Sequence, residues 1–128
     1  MSYRNLLAIA AVIALAFGVG FVLVPAQVAA YYGLTLNPAG AFVAQLFGAA
    51  LIGFAVLNWA ARGAEASQPI SAVILANLVG DGVGFVIALM GQMAGTGGLN
   101  QMGWVTVAIY LLLALGFAYL QFAKPGAS

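Results

Sequence analysis

The chain has 128 residues, of which 66% are apolar and 4% are charged, with three Lys or Arg, two Asp or Glu and a net charge of +1. A soluble domain carries about 25% charged residues, so this composition excludes a water-soluble surface and indicates a single membrane domain over residues 1–128. The lack of Cys and His removes disulfides, thiolate metal sites and the commonest general base, and the low positive charge argues against nucleic-acid partners.

Four segments are long enough for a transmembrane helix, which needs roughly 20 mostly apolar residues. In chain order they cover about residues 6–24, 38–61, 70–91 and 101–122. Asn before Pro suits a helix start, because the Asn side chain accepts a hydrogen bond from a free backbone N–H and Pro has none to leave unpaired. We therefore predict Asn37, which precedes Pro38, as the N-cap of the second helix. Ser67, before Gln68 and Pro69, is the predicted N-cap of the third helix, and Asn100 is that of the fourth.

The first segment has an alternative interpretation as a cleaved signal peptide. Residues 28–30, Val-Ala-Ala, form a small-residue run of the kind found at cleavage sites. The apolar stretch before them is about 19 residues, whereas signal peptides usually have about 7–15. We expect a retained membrane helix.

The positive charges predict the orientation of the chain. With four spans, Arg4, Arg62 and Lys124 all lie on one side of the membrane, and the loops at residues 25–37 and 92–100 on the other side carry no charge. Positive residues collect on the cytoplasmic side. We expect both termini in the cytoplasm and the protein in a bacterial inner membrane.

Three sequence matches at nearly one offset indicate an internal repeat. One of them matches Leu36-Asn37 and Gly40 with Leu99-Asn100 and Gly103. Residues 18–22 and 82–86 both read Gly-Val-Gly-Phe-Val, at an offset of 64, and GFAVLNWA from Gly53 resembles GFAYLQFA from Gly116 at an offset of 63. The matches predict a tandem duplication of a two-helix hairpin. The expected fold is all-α, with two parallel repeats.

The predicted repeats cover residues 1–64 and 65–128. Their alignment places Phe17 opposite Asp81, so the charge breaks the symmetry of the duplication.

Asp81 lies near the middle of the third span, where a charged side chain costs about 2.5–3.5 kcal/mol. It should therefore face the bundle interior or a wet cavity. Asn77 is one turn earlier on the same helix face. The other candidate partners, chosen by depth alone, are Tyr110, Thr106, Gln45 and Asn58. Either a structural hydrogen bond that fixes helix register or a functional binding or protonation site would explain the acid.

Small residues recur every four positions along the third span. They are Ala72, Ala76, Gly80, Gly84 and Ala88, and a shorter stripe on the first span ends at Gly18. Such small-xxx-small stripes let helix backbones approach closely. The duplicated glycine segments suggest that the first and third spans pack closely, either with each other or across subunits.

Residues 31–59, YYGLTLNPAGAFVAQLFGAALIGFAVLNW, carry a family resemblance. Their Tyr-Gly turn followed by a Leu-Phe-Gly-Ala helix resembles uncharacterised small bacterial membrane proteins of the DoxX-like group. The resemblance implies four helices and a link to redox or sulfur-related membrane complexes. Those proteins often have Arg where this chain has Gln45, so a role tied to that cation is not expected here.

Two functions follow as hypotheses. The first is a noncatalytic membrane protein that assembles with itself or serves as an accessory subunit of a larger membrane complex. The alternative is a carrier or channel for a small solute, a proton or a lipophilic molecule, with Asp81 as the binding or protonation site. An enzyme is not expected, because general acid–base catalysis needs positioned titratable groups. No cofactor motif is present, although a bound lipid, quinone or pigment stays open.

Overall fold

The computed structural model describes residues 2–95 and 98–123, and these residues form helices without strands. The helices are α1 (Tyr3–Leu23), α2 (Pro25–Tyr31), α3 (Pro38–Ala61), α4 (Gln68–Ala94) and α5 (Gly103–Ala118), the last continuing into a π-helical turn at Tyr119–Ala123. Four of them are long and apolar enough to cross a membrane, if the turn is counted with α5. The expected all-α class is therefore confirmed, together with four helices that could each span a membrane.

The predicted N-caps are confirmed for two helices. The Asn37 side chain accepts a hydrogen bond from the Gly40 N–H at 2.6 Å, and the Ser67 hydroxyl accepts one from Ile70 at 3.4 Å. The prediction for Asn100 was wrong by two residues, because Met102 occupies the N-cap position of α5. Asn100 instead caps the preceding turn, where its Oδ1 accepts from the Met102 N–H at 2.9 Å.

The short helix α2 was not predicted, since the sequence placed a loop over residues 25–37. Pro25 ends the first span, but it also occupies the first position of a new helix, where its missing N–H costs nothing. Ala29 and Tyr32 are buried at the end of this helix. Packing therefore holds a segment that is too short to form a stable helix alone.

The spanning helices pack mainly as two pairs, α1 with α3 and α4 with α5. In the first pair Gly18 meets Gly48, and a methyl group on Gly48 would lie 2.7 Å from the Gly18 carbonyl oxygen. The duplicated glycine segments of the first and third spans therefore do not face each other. The pairing is the one that two hairpins would give, and the repeat itself stays a prediction.

A buried apolar cluster closes one end of the bundle, which we call the N-terminal end. It joins the start of α1, the start of α4 and the end of α5 through Leu7, Ile74 and Phe117, each essentially inaccessible to solvent. The Tyr3 hydroxyl donates to the Ala64 carbonyl and so ties α1 to the loop before α4. Arg4 and Arg62 therefore share this end, as expected, whereas Lys124 lies outside the described residues.

Candidate binding cavity

A cavity of about 450 Å³ lies between the two helix pairs. Side chains from α1 through α5 line it, and most of them are aliphatic or aromatic, including Phe17, Phe21, Phe47 and Phe54. Its volume and its mainly apolar wall are those of a small-molecule site, which usually measures about 300–1,000 Å³. The polar side chains on this wall decide what such a site would bind.

Asp81 projects from the midpoint of α4 and lines the cavity. Its carboxyl group makes no hydrogen bond within residues 2–95 and 98–123, and Oδ2 is buried there without a partner. A buried polar group without a hydrogen bond destabilises the fold. The carboxyl group is therefore an unmet hydrogen-bonding site at the centre of the spanning helices.

Asn77 also lines the cavity, one turn before Asp81, but its hydrogen bonds lead elsewhere. Its amide and that of Asn58 on α3 exchange two hydrogen bonds of 2.9 Å, and Asn77 donates a third to the Val73 carbonyl. Asn58 is 2% exposed, so the pair is dry. This amide pair joins α3 to α4 on the N-terminal side of Asp81 and forms part of the cavity floor.

Tyr110 of α5 lies on the same wall and packs against Gly84 of α4. A methyl group on Gly84 would clash with the Tyr110 ring, so the glycine leaves the room that this ring occupies against the helix. The Tyr110 hydroxyl makes no hydrogen bond to the described residues. The nearby hydroxyl groups on the cavity wall, those of Thr106 and Tyr32, bond to each other. The phenol is a second unengaged polar group beside the cavity.

The opposite end of the cavity, which we call the α2 end, is closed by hydrogen bonds between the two halves of the chain. Thr106 of α5 donates to the Tyr32 hydroxyl at 3.0 Å. The Asn100 N–H donates to the Tyr32 carbonyl at 2.8 Å, and its side chain donates to the Tyr31 carbonyl at 3.3 Å. These bonds hold α2 across this end of the cavity.

The structure brings Asp81, Asn77 and Tyr110 to one cavity but places Gln45 elsewhere. Gln45 is exposed, and its amide donates to the Val22 carbonyl of α1 at 3.1 Å. Depth along the membrane was the basis for choosing it, and depth alone does not give the face of the helix. Asn58, chosen on the same basis, is a polar residue of α3 that does line the cavity.

The small residues of the stripe have different surroundings. Gly84 packs under Tyr110 and Gly18 against Gly48, whereas a methyl group on Gly80 would meet nothing within 4 Å. Ala76 and Gly80 are exposed at the edge of the cavity, and Ala88 is half-buried further along α4.

Two residues that shape the site, Tyr32 and Gly48, were not predicted from the sequence. Tyr32 stands in an uncharged loop beside a second tyrosine, and a pair of interfacial aromatics was the ordinary explanation. Gly48 ends a short series of small residues at four-residue spacing, Gly40, Ala44 and Gly48. A search for glycines facing each other between antiparallel spans would have found the Gly18–Gly48 contact.

The polar groups of the cavity wall are one carboxyl group, two amides and hydroxyl groups. Within the described residues no three His, Cys, Asp or Glu side chains come together as a metal site. The polar groups of the wall are suited to donating and accepting hydrogen bonds.

Comparison with protein-family models, with curated proteins and with solved structures finds no match for the chain. The resemblance to DoxX-like proteins accordingly stays an expectation. The function must be argued from the cavity itself.

Proposed function

We propose that this protein is a noncatalytic integral membrane protein that binds a small lipophilic molecule between its spanning helices, with Asp81 as the polar anchor. The observation that carries the proposal is a cavity of about 450 Å³ with an unpartnered carboxyl group on an otherwise mainly apolar wall. Polar groups of this kind fix the orientation of a ligand, while the apolar wall contributes most of the contact area.

The surroundings of Asp81 favour binding over a purely structural role. An acid with a structural role would form hydrogen bonds with its neighbours, but the side chain of Asn77 bonds to Asn58 and to the Val73 carbonyl instead. A central intramembrane charge costs about 2.5–3.5 kcal/mol. A ligand that hydrogen-bonds to the carboxyl group would offset that cost in the bound state.

The hypothesis of self-assembly, or of an accessory subunit in a larger membrane complex, rests on the small-residue stripe of α4. Part of that stripe is engaged inside the chain, since Gly84 receives the Tyr110 ring. Ala76 and Gly80 border the cavity, so these two small residues support binding in the cavity and not only self-assembly. A bacterial inner membrane with both termini in the cytoplasm belongs to the same proposal and rests on the positive charges at the N-terminal end.

The test compares two glycine variants and two Asp81 variants by native mass spectrometry of protein extracted in a mild detergent. Gly80→Leu should lose a co-purified small molecule because the leucine fills the edge of the cavity. Gly82→Leu is the matched control, since Gly82 also has nothing within 4 Å but does not line the cavity.

Asp81→Leu separates anchoring from structure. If Asp81 anchors the ligand, Asp81→Leu should lose the bound molecule and have a more stable fold, because leucine is more favourable in the membrane interior than an unpaired acid. A structural acid predicts the reverse, a less stable fold. Wild-type protein that carries no small molecule from native membranes would contradict the proposal, as would equal retention by Gly80→Leu and Gly82→Leu. Asp81→Asn, which keeps the shape, should retain less than wild type.

A further inference from the structure

The cavity is open on one side, between α3 and α4. These helices meet where Asn58 bonds to Asn77 and make little contact beyond that point. Phe54 of α3 lines the cavity and is still 43% exposed. Across from it, Gly80 lines the cavity with nothing within 4 Å of its Cβ position. We call this opening, bordered by Ala50, Phe54, Ala76 and Gly80, the lateral gap.

Packing limits the other sides within the part of the chain that the structure describes. Between α1 and α5, Leu6 lies against Gly116 near the N-terminal end, and Ile13 and Ile109 pack on the apolar cluster. The Gly18–Gly48 contact brings α1 against α3, and the Gly84–Tyr110 contact brings α4 against α5. The apolar cluster closes the N-terminal end. The hydrogen bonds of Tyr32 and Asn100 close the α2 end. The lateral gap between α3 and α4 is therefore the least obstructed route between the cavity and the outside of the bundle.

That flank faces lipid. The helices on both sides of the lateral gap are membrane-spanning candidates, and Asp81 lies at the midpoint of α4. A membrane-spanning helix with Asp81 at its midpoint places the gap within the hydrocarbon core, which is about 30 Å thick. The gap thus connects the cavity with acyl chains and not with water.

We infer that the ligand is a lipid alcohol that enters the cavity sideways from the bilayer through the lateral gap and bonds its hydroxyl group to Asp81; this inference rests on the proposed function. The apolar wall suits a hydrocarbon body. A hydroxyl group both donates and accepts, so it pairs with a carboxyl group in either protonation state and with the phenol of Tyr110.

The wall also argues against an anionic head group. Asp81 is the one ionisable acid or base other than tyrosine on the cavity wall of the described residues, where no Lys or Arg stands opposite it. An anionic head would face a carboxyl group without a cation to balance it, and a buried charge needs a partner. A neutral hydroxyl head adds no negative charge that the wall would have to balance.

The experiment uses the natural absence of cysteine from the chain. Phe54→Cys and Gly80→Cys are combined, because α3 and α4 run antiparallel and the Asn58–Asn77 contact sets these two positions at nearly the same depth. A short bifunctional thiol reagent then bridges the lateral gap. The control pair, Gly53→Cys with Gly82→Cys, has open surroundings at both positions and lies outside the cavity wall.

The protein is reconstituted in liposomes, and the probe is a long-chain alcohol bearing a photoreactive diazirine. Labelled residues are mapped by peptide mass spectrometry, and each variant is compared with itself before and after bridging. Bridging before the probe is added should abolish labelling of cavity residues. Bridging after it is added should retain the label through washing. The control pair should be labelled equally in both orders. Ala50→Cys with Val83→Cys provides a second bridge should the first pair fail to fold.

Four results would overturn the inference. Equal labelling with the gap bridged or open would refute the lateral route while leaving binding in the cavity intact. Labelling of the cavity by a diazirine fatty acid or alkylamine in preference to the alcohol would refute the hydroxyl class. Disulfide-linked dimers of the single Gly80→Cys variant in native membranes would show that a second copy covers the gap. No cavity labelling by any of the three probes would refute the proposed function itself.

Discussion

The contact between Gly18 and Gly48 makes a quantitative prediction about stability. At Gly48 an added methyl group would lie 2.7 Å from the Gly18 carbonyl oxygen and 2.9 Å from the Phe21 Cβ atom. The nearest of these is a backbone atom, so no side-chain rotation relieves the clash. Gly48→Ala must therefore push α1 and α3 apart along their closest approach.

The magnitude follows from two opposing effects. Replacing a helix-interior glycine by alanine gains about 0.5–1 kcal/mol of backbone entropy, and overpacking costs about 1–3 kcal/mol. Gly53→Ala on the same helix receives the first effect without the second, since its Cβ position is open. The difference between the two variants isolates the clash, and we expect Gly48→Ala to be less stable than Gly53→Ala by about 1–3 kcal/mol.

The assay is unfolding by sodium dodecyl sulfate in mixed micelles, followed by the fluorescence of Trp59 and Trp104. These tryptophans lie near opposite ends of the bundle, at the end of α3 and the start of α5, so coincident transitions would support a two-state analysis. Equal free energies of unfolding for Gly48→Ala and Gly53→Ala would refute the reasoning, because the two helices could then separate without loss.

The remaining predictions concern the two ends of the cavity. Asn58→Leu and Asn77→Leu each leave one buried amide unpaired, and we expect each to cost about 1–3 kcal/mol in the same unfolding assay. The double leucine variant should recover most of that loss, whereas strictly additive losses would contradict the amide pair. At the α2 end, Asn100→Ala should speed amide hydrogen exchange at Met102, because its cap is lost, while the exposed neighbour Gln101→Ala should not; matching exchange in the two variants would count against the cap.

The membrane architecture could be predicted from the sequence because it depends on local properties. The second span was expected over residues 38–61, and α3 covers Pro38–Ala61, since Asn37 and Pro38 mark its start by local chemistry. The helix α2 was missed for a tertiary reason. Its seven residues, Pro25–Tyr31, gain their stability from the burial of Ala29 and from Tyr32 just beyond them.

The site could be predicted only in part. Asp81 was found because a lone charge in an apolar run is conspicuous on composition alone. Its neighbours depend on how helices rotate about their own axes, which one sequence does not encode locally. Asn77 has the right spacing to Asp81 but turns to Asn58 of another helix, and Gln45 has the right depth but turns to Val22 of α1.

The predicted repeat explains why such a cavity would be chemically one-sided. Applied to the cavity, its offsets match three polar residues of the second half with three apolar residues of the first. The pairs are Asp81 with Phe17, Asn77 with Ile13 and Tyr110 with Phe47. All six residues line the same cavity, so equivalent positions of the two halves face a shared space.

A cavity between two identical hairpins would have had matching walls and no preferred ligand orientation. In this chain, Phe17 and Phe47 lie on the α1–α3 wall and Asp81 and Tyr110 on the α4–α5 wall. A molecule with a polar end can then bind with that end toward α4 and α5 and its hydrocarbon toward α1 and α3, because the reverse orientation buries the carboxyl group against hydrocarbon. The same asymmetry that made Asp81 conspicuous in the sequence would thus give the cavity its selectivity for an amphiphile over a plain hydrocarbon.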